Sequence, residues 1–156
     1  TGNTLNNTIT GNAEDNILSG GLGADTLSGA AGNDTYLMSR GDGADRISDN
    51  SGDNDRIVFA SDIAHDQLWF KAVGSSLEIR VIGTPDKYTV LNWYTNDNNR
   101  VESIQAGSGK VLDAMSVEQL VAAMATLTPP AMGQLTLNTS QHVQLDGVIA
   151  AAWQNP

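Results

Sequence analysis

The chain has 156 residues, 40% of them apolar, and a formal net charge of −10. That length suits one domain or two small packed units, and the apolar fraction provides for a modest core rather than wholesale disorder. The charge argues against nucleic acid and anionic membrane as partners, and the absence of cysteine excludes disulfides and thiolate metal sites.

The chain opens inside a repeating pattern at Thr1-Gly2-Asn3, with no Met and no apolar signal stretch. This predicts further repeats upstream in a larger parent protein. Residues 1–66 hold eleven acids against three arginines, so −8 of the −10 lies there. Asp outnumbers Glu fourteen to four. Preference for the shorter, stiffer carboxylate points to geometry, and ligation of a hard cation is the usual reason.

Apolar residues recur nine apart at Ile9, Leu18, Leu27 and Tyr36. Two residues before each stands Asn7, Asn16, Asp25 or Asp34; seven before stands Gly2, Gly11, Gly20 or Gly29. Three registers holding one period mark a true internal repeat. Its clearest copies are GGLGADTLS (20–28) and GAAGNDTYL (29–37). Glycines at the first, second and fourth positions permit positive φ, so that carbonyls can aim at an ion. The sixth position adds a carboxylate. The eighth faces inward from a short strand whose neighbours Thr26, Ser28 and Thr35 face out. Gly/Asp/Asn-rich text of this kind also suits plain β-turns. The first two copies decay, with Leu5 and Glu14 at the glycine position and Asn7 and Asn16 at the acid position. An amide oxygen carries no charge, so sites using these Asn residues should be weak or empty. After Met38-Ser39, RGDGADRIS (40–48) and NSGDNDRIV (50–58) restore an Asp-x-Ile unit at Asp45/Ile47 and Asp55/Ile57. Asp42, Asp49 and Asp53 read as solvated loop acids.

These nonapeptides resemble the RTX repeat, Gly-Gly-x-Gly-x-Asp-x-U-x with U a large apolar residue, which binds calcium. The resemblance implies an all-β-dominated chain whose first part is a right-handed parallel β-roll, two nonapeptides to a turn. Each ion then lies between a loop and the loop two repeats later. That pairing gives Asp25 with Asp45 and Asp34 with Asp55 as the best two calcium sites. Gly20, Gly21, Gly23, Gly29, Ala30, Gly32, Gly41 and Gly43 supply backbone ligands, and Asn7 and Asn16 are the weaker side-chain ligands. Two to four ions are expected within residues 1–58.

Beyond residue 66 longer strands are expected. Residues 68–73 and 76–82 flank Gly74-Ser75, a two-residue connection suited to a type II′ hairpin. Strands over 87–94, 100–105 and 110–112 complete an antiparallel meander. A helix follows, with Ser116 and Gln119 as its capping box and Val117, Leu120, Val121 and Met124 on one face. Thr128-Pro129-Pro130 ends it, and a second helical pattern carries Leu145, Val148, Ile149 and Trp153. The longest weakly polar stretch, 120–125, is far too short to span a membrane. The stretches LWFKAVGSSLEI, YTVLNWY and RVESIQAGSGKVL resemble the region following RTX repeats in large secreted bacterial proteins, although Ser75-Ser76 stands where relatives carry Asn or Asp. The closing TPPAMGQ…VIAAAWQNP resembles their uncleaved type I secretion signals.

Three parts are therefore expected: a calcium-binding roll (1–58), an antiparallel β capping unit (59–113) and a helical segment carrying the secretion signal (114–156). No reaction is expected. His65 and His142 lie in no zinc pattern, and no nucleophile or phosphate-binding motif occurs. A periodic ladder of Asp is also unlike a single glycosidase pair. The expected function is calcium-dependent folding and export of a secreted, extracellular protein. The partners are a type I secretion apparatus and upstream domains of the same parent, and the chain is expected to be a monomer. The alternative is a calcium-dependent adhesin or carbohydrate-binding module, with Trp69, Trp93 and Tyr94 as a stacking surface.

Overall fold

In the repeat region each nine-residue copy provides one short strand with one large inward side chain, too little to bury alone. The computed structural model, which describes residues 1–52 and 54–156, places these strands alternately in two sheets. They are β1 (Thr8–Thr10), β2 (Ile17–Leu18), β3 (Thr26–Ser28), β4 (Thr35–Met38), β5 (Ala44–Ile47) and β6 (Arg56–Phe59). Parallel ladders join β1, β3 and β5 in one sheet and β2, β4 and β6 in the other. Leu18, Leu27, Tyr36, Ile47 and Ile57 are buried in the common core, with Ile9 partly buried at the N-terminal edge. The register follows the repeat: Ile9 pairs with Leu27, Leu27 with Ile47 and Tyr36 with Ile57. Met38-Ser39 and one extra residue between Ile47 and Ile57 lengthen the later turns.

The second half extends both sheets instead of forming one meander. Strands β7 (Leu68–Val73), β8 (Ser76–Val81) and β9 (Lys87–Val90) are mutually antiparallel, but β9 also runs parallel to β5. Strand β10 (Ser103–Gln105) runs parallel to β6 and antiparallel to β11 (Val111–Asp113). An exposed sheet edge presents unpaired N–H and C=O groups, and β9 and β10 satisfy those of β5 and β6. The strand expected to reach Tyr94 therefore stops at Val90. Asn92 (φ 58°) and a 3-10 turn at Asp97–Asn99 carry the chain across to the other sheet. The β7–β8 hairpin has positive φ at Gly74 (59°) and not at Ser75, as a type II′ turn requires.

Helix α1 (Ala114–Met124) is capped by Asp113, whose carboxylate accepts the Ser116 N–H at 2.6 Å. The cap thus lies three residues before the Ser116 of the expected capping box, because β11 runs directly into the helix. Helix α2 (Thr139–Ala152) opens on a reciprocal Asn138–Gln141 capping box. It buries Leu145 and Ile149, and Trp153 follows them into the core with its ring near His65 and Phe70. Beyond it, Gln154 and Val111 exchange backbone hydrogen bonds of 2.9 Å. Among the described residues no helix is long and apolar enough to cross a membrane.

Candidate metal centre

Stacking the strands stacks the loops before them, and this builds two ladders of acids. In one, the Asn7 N–H donates to Asp25 Oδ1 (2.6 Å) and the Asp25 N–H donates to Asp45 Oδ1 (2.8 Å). In the other, the Asn16 N–H donates to Asp34 Oδ1 (2.8 Å), the Asp34 N–H to Asp55 Oδ1 (2.6 Å) and the Asp55 N–H to Glu102 Oε2 (2.6 Å). The expected pairings of Asp25 with Asp45 and Asp34 with Asp55 are thus adjacent rungs.

Each rung uses one carboxyl oxygen for the backbone and leaves the other. Asp25 Oδ2 and Asp34 Oδ2 are buried and have no hydrogen-bond partner. Both lie behind the first glycine of their own repeat: a Cβ on Gly20 would overlap Asp25 Oδ2, and one on Gly29 would overlap Asp34 Oδ2. Glycine at the first position serves close approach, while positive φ falls at the second and fourth positions, as at Gly21 and Gly23. Ala30 takes the second position with φ 78° despite its Cβ, which L-residues rarely adopt. In the following turns Gly32, Gly41 and Gly43 keep the same positive-φ geometry.

Carbonyl oxygens approach the Asn rungs. The Cβ position of Gly2 meets both Asn7 Oδ1 and the Gly20 carbonyl; that of Gly11 meets Asn16 Oδ1 and the Gly29 carbonyl. Amide and carbonyl oxygens of this kind are donors a hard cation takes. The Asn rungs differ from the Asp rungs in charge and in saturation. Asn7 Oδ1 accepts the Asn3 N–H and Asn16 Oδ1 accepts the Asn12 N–H, both locally.

The buried acids differ in whether a cation pairs with them. Glu78 is held by Arg80 (2.6 Å) and Lys87 (3.8 Å). Among the described residues no ion pair reaches Asp25, Asp34, Asp42, Asp45, Asp49, Asp55 or Asp86, all of them buried. Burial, with the Asp25 charge beside it, pushes Asp45 up to about 6. Burial and the adjoining Asp55 carboxyl push Asp49 up to about 8, and burial raises Asp42 and Asp55 as well. An uncompensated buried carboxylate costs several kcal/mol, so these rungs call for protons or a bound cation. Among the described residues no three acidic or histidine side chains converge as a ready metal cluster. A cation here must therefore draw on backbone carbonyls.

Asp42 and Asp49 are not solvated loop acids; the loops face one another across the stack, and both side chains lie inside it. Asp53 lies outside the described residues. Two acids of the second half also reach the stack: Asp86, expected in a turn outside the calcium loops, and Glu102, unnoticed in the sequence. Asp86 is buried and accepts the N–H groups of Gly41 (2.9 Å) and Gly43 (3.2 Å), and Glu102 ends the second ladder. Their signal was present: Asp86-Lys87-Tyr88 and Glu102-Ser103-Ile104 each repeat the acid-x-apolar unit. Trp69 and Trp93, two of the three residues proposed as a stacking surface, are buried at 2% and 0% exposure.

Comparison with known families agrees with this geometry. Residues 1–36 match the RTX calcium-binding nonapeptide repeat, and residues 77–115 match the haemolysin-type calcium binding protein related domain. The chain thus carries RTX haemolysin-type repeats, which bind calcium, followed by their related domain. Among curated proteins it is similar to the iron-regulated protein FrpA of Neisseria meningitidis serogroup C, 34% identical over 92 residues. That match covers 55% of this chain and 8% of FrpA, so the chain spans only a small part of the relative's length.

Proposed function

We propose that this chain is a calcium-dependent folding and type I export module of a larger secreted bacterial protein, with no reaction of its own. The observation that carries the reading is the pair of buried, partnerless carboxylate oxygens, Asp25 Oδ2 and Asp34 Oδ2, on acids that no ion pair reaches among the described residues. In this reading Asp25 with Asp45, and Asp34 with Asp55, would hold calcium. The carbonyls of Gly20, Gly21, Gly23, Gly29, Ala30, Gly32, Gly41 and Gly43 would complete the ligand sets, with Asn7 and Asn16 serving weaker sites. Bound calcium supplies the positive charge that lets adjacent acidic loops stack. Two strand series alternating between parallel sheets support a right-handed β-roll over residues 1–58. Strands of 59–113 cap it by continuing both sheets, and 114–156 holds the export signal.

The helical segment bears on the order of events. Leu145, Ile149 and Trp153 are buried against the rest of the molecule. Folding would hide the apolar side of α2 within a signal in residues 129–156, which favours export before folding. Low cytosolic calcium keeps the repeats open, and external calcium in the range that fills extracellular modules (roughly 10⁻⁴–10⁻³ M) closes them. The glycan-binding alternative is disfavoured, since its Trp pair lies in the core. Calcium calorimetry with magnesium as control tests the reading. Calcium heat with little response to magnesium is expected; no calcium heat, or equal heats, overturns it.

A further inference from the structure

The nine-residue copies are built in two ways. In copies three and four the second and fourth positions take positive φ, at Gly21, Gly23, Ala30 and Gly32. In copies one and two the same positions hold Asn3, Leu5, Asn12 and Glu14. None of these has positive φ; among the described residues other than glycine, only Ala30 and Asn92 do. The first two loops therefore turn by other means.

Those means are asparagine side chains. Asn3 Oδ1 accepts the Leu5 N–H (2.8 Å) and Asn12 Oδ1 accepts the Glu14 N–H (3.0 Å), each closing its own turn two residues on. The N–H groups of Asn3 and Asn12 donate to Asn7 Oδ1 (2.8 Å) and Asn16 Oδ1 (2.7 Å), and Asn16 Nδ2 donates back to Asn12 Oδ1 (2.9 Å). The fifth-position side chains then reach the next turn. Asn6 Oδ1 accepts the Ala24 N–H (3.0 Å) and Asp15 Oδ1 accepts the Asn33 N–H (2.7 Å).

What these closed loops hold in place faces the first two acids. The Asn7 and Asn16 N–H groups lie on Asp25 Oδ1 and Asp34 Oδ1. The Asn3 and Leu5 carbonyls abut Gly21 and Gly23, at 2.6 and 3.0 Å from where a Cβ would stand, and the Glu14 carbonyl abuts Gly32 at 2.7 Å.

We propose that Asn3 and Asn12 are positioning residues for the calcium sites of Asp25 and Asp34, and that copies one and two form a cap set by side chains. The proposal rests on the reading that the acidic loops bind calcium. Neither residue touches the ion. A neighbouring loop that is already shaped leaves less chain to order when calcium binds, so less calcium is needed. A weak ion at Asn7 or Asn16 would add to such a loop without being needed to shape it.

The test reads two quantities on the full chain: the calcium midpoint of folding by circular dichroism, and the ion count at saturation by native mass spectrometry. It compares the wild type with the pairs Asn3→Ala/Asn12→Ala and Asn3→Ser/Asn12→Ser. Ala removes both acceptors, whereas Ser keeps a weaker neutral one that can close the same turn. The Ala pair should raise the midpoint about two- to fivefold through the lost backbone bonds, with the ion count of the wild type. The Ser pair should fall between the two. A wild-type midpoint in the Ala pair overturns the proposal, as does a Ser pair no closer to the wild type than Ala. A lower ion count in the folded Ala pair makes these residues ligands and overturns the positioning role. Should the Ala pair fail to fold at any calcium concentration, the Ser pair decides: folding with the full ion count supports the proposal, and failure to fold overturns it. A wild type without any calcium overturns the folding reading itself, whereas calcium-loaded variants with an unmoved midpoint overturn only the positioning role.

Discussion

Asp34→Asn separates a metal ligand from a structural hydrogen-bond acceptor. Asp34 accepts the Asn16 N–H through Oδ1, and its Oδ2 is buried without a partner. Asn preserves the first contact and removes the charge on the second oxygen. One occupied site adds stability as RT ln(1 + [L]/Kd), so well above Kd each tenfold rise in calcium adds about 1.4 kcal/mol per site. Losing a site lowers the slope of unfolding free energy against log calcium by that amount. For a domain of this size the variant's thermal midpoint then falls behind by about 3–6 °C per decade of calcium. Thermal melts by circular dichroism across two decades of calcium read the slope directly. Asp62→Asn is the control, because Asp62 is exposed and only pairs with Arg40 at 3.1 Å. Parallel lines for wild type and Asp34→Asn, offset by a constant, would refute the ligand role and leave Asp34 as a backbone acceptor.

Other outcomes follow from the same geometry. Asp45 and Asp49 are raised to about 6 and about 8, above the usual carboxylate range. Their ionisation therefore weakens the ion-free fold, whose proton-linked stability is complete below about pH 4 and is lost as pH climbs towards 8. Calcium needs the ionised groups, so its midpoint should tighten from pH 6 to 8, by up to about tenfold per unit where one proton is displaced; calorimetry in buffers of different ionisation enthalpy measures that release. Asp86→Ala should raise the calcium midpoint, whereas Asp62→Ala should not. Trp153→Ala should cost about 3–5 kcal/mol in urea melts, and Val143→Ala, on the exposed side of α2, less than about 0.5 kcal/mol. Gly147→Ala should stabilise by about 0.5–1 kcal/mol, since nothing lies within reach of its Cβ in the helix. A fused cargo should be exported with residues 129–156 and retained without them; export of the truncated fusion would place the signal elsewhere.

The repeat half was legible because one residue in nine fixes each strand and the Gly and Asp registers fix its loop. The pairing of Asp25 with Asp45 and of Asp34 with Asp55 came from the resemblance to the RTX repeat, whose roll sets two nonapeptides to a turn. The strands beyond residue 66 were legible as elements, but their partners were not. Pairing of β9 with β5 and of β10 with β6 depends on which edges stand open after the repeats end, and local patterning carries no record of that. Asp86 and Glu102 were missed for the same reason, although each sits two residues before a buried Tyr88 or Ile104. Asp42 and Asp49 were misjudged because a polar loop normally meets water, whereas here each loop meets the next. Ser116 looked like a helix cap, yet Asp113 takes the role because the preceding strand delivers it to the first turn.

Calcium is expected to switch the repeats between an open and a stacked chain. Hydrogen exchange on the full chain, in calcium and after chelation, tests this residue by residue. Stacking held by the ion predicts that residues 17–58 lose protection together on chelation and recover it when calcium returns, with the β7–β8 hairpin less affected. Unchanged protection across 17–58 in chelator would contradict it, because acidic loops that stack without the ion leave export and folding uncoupled.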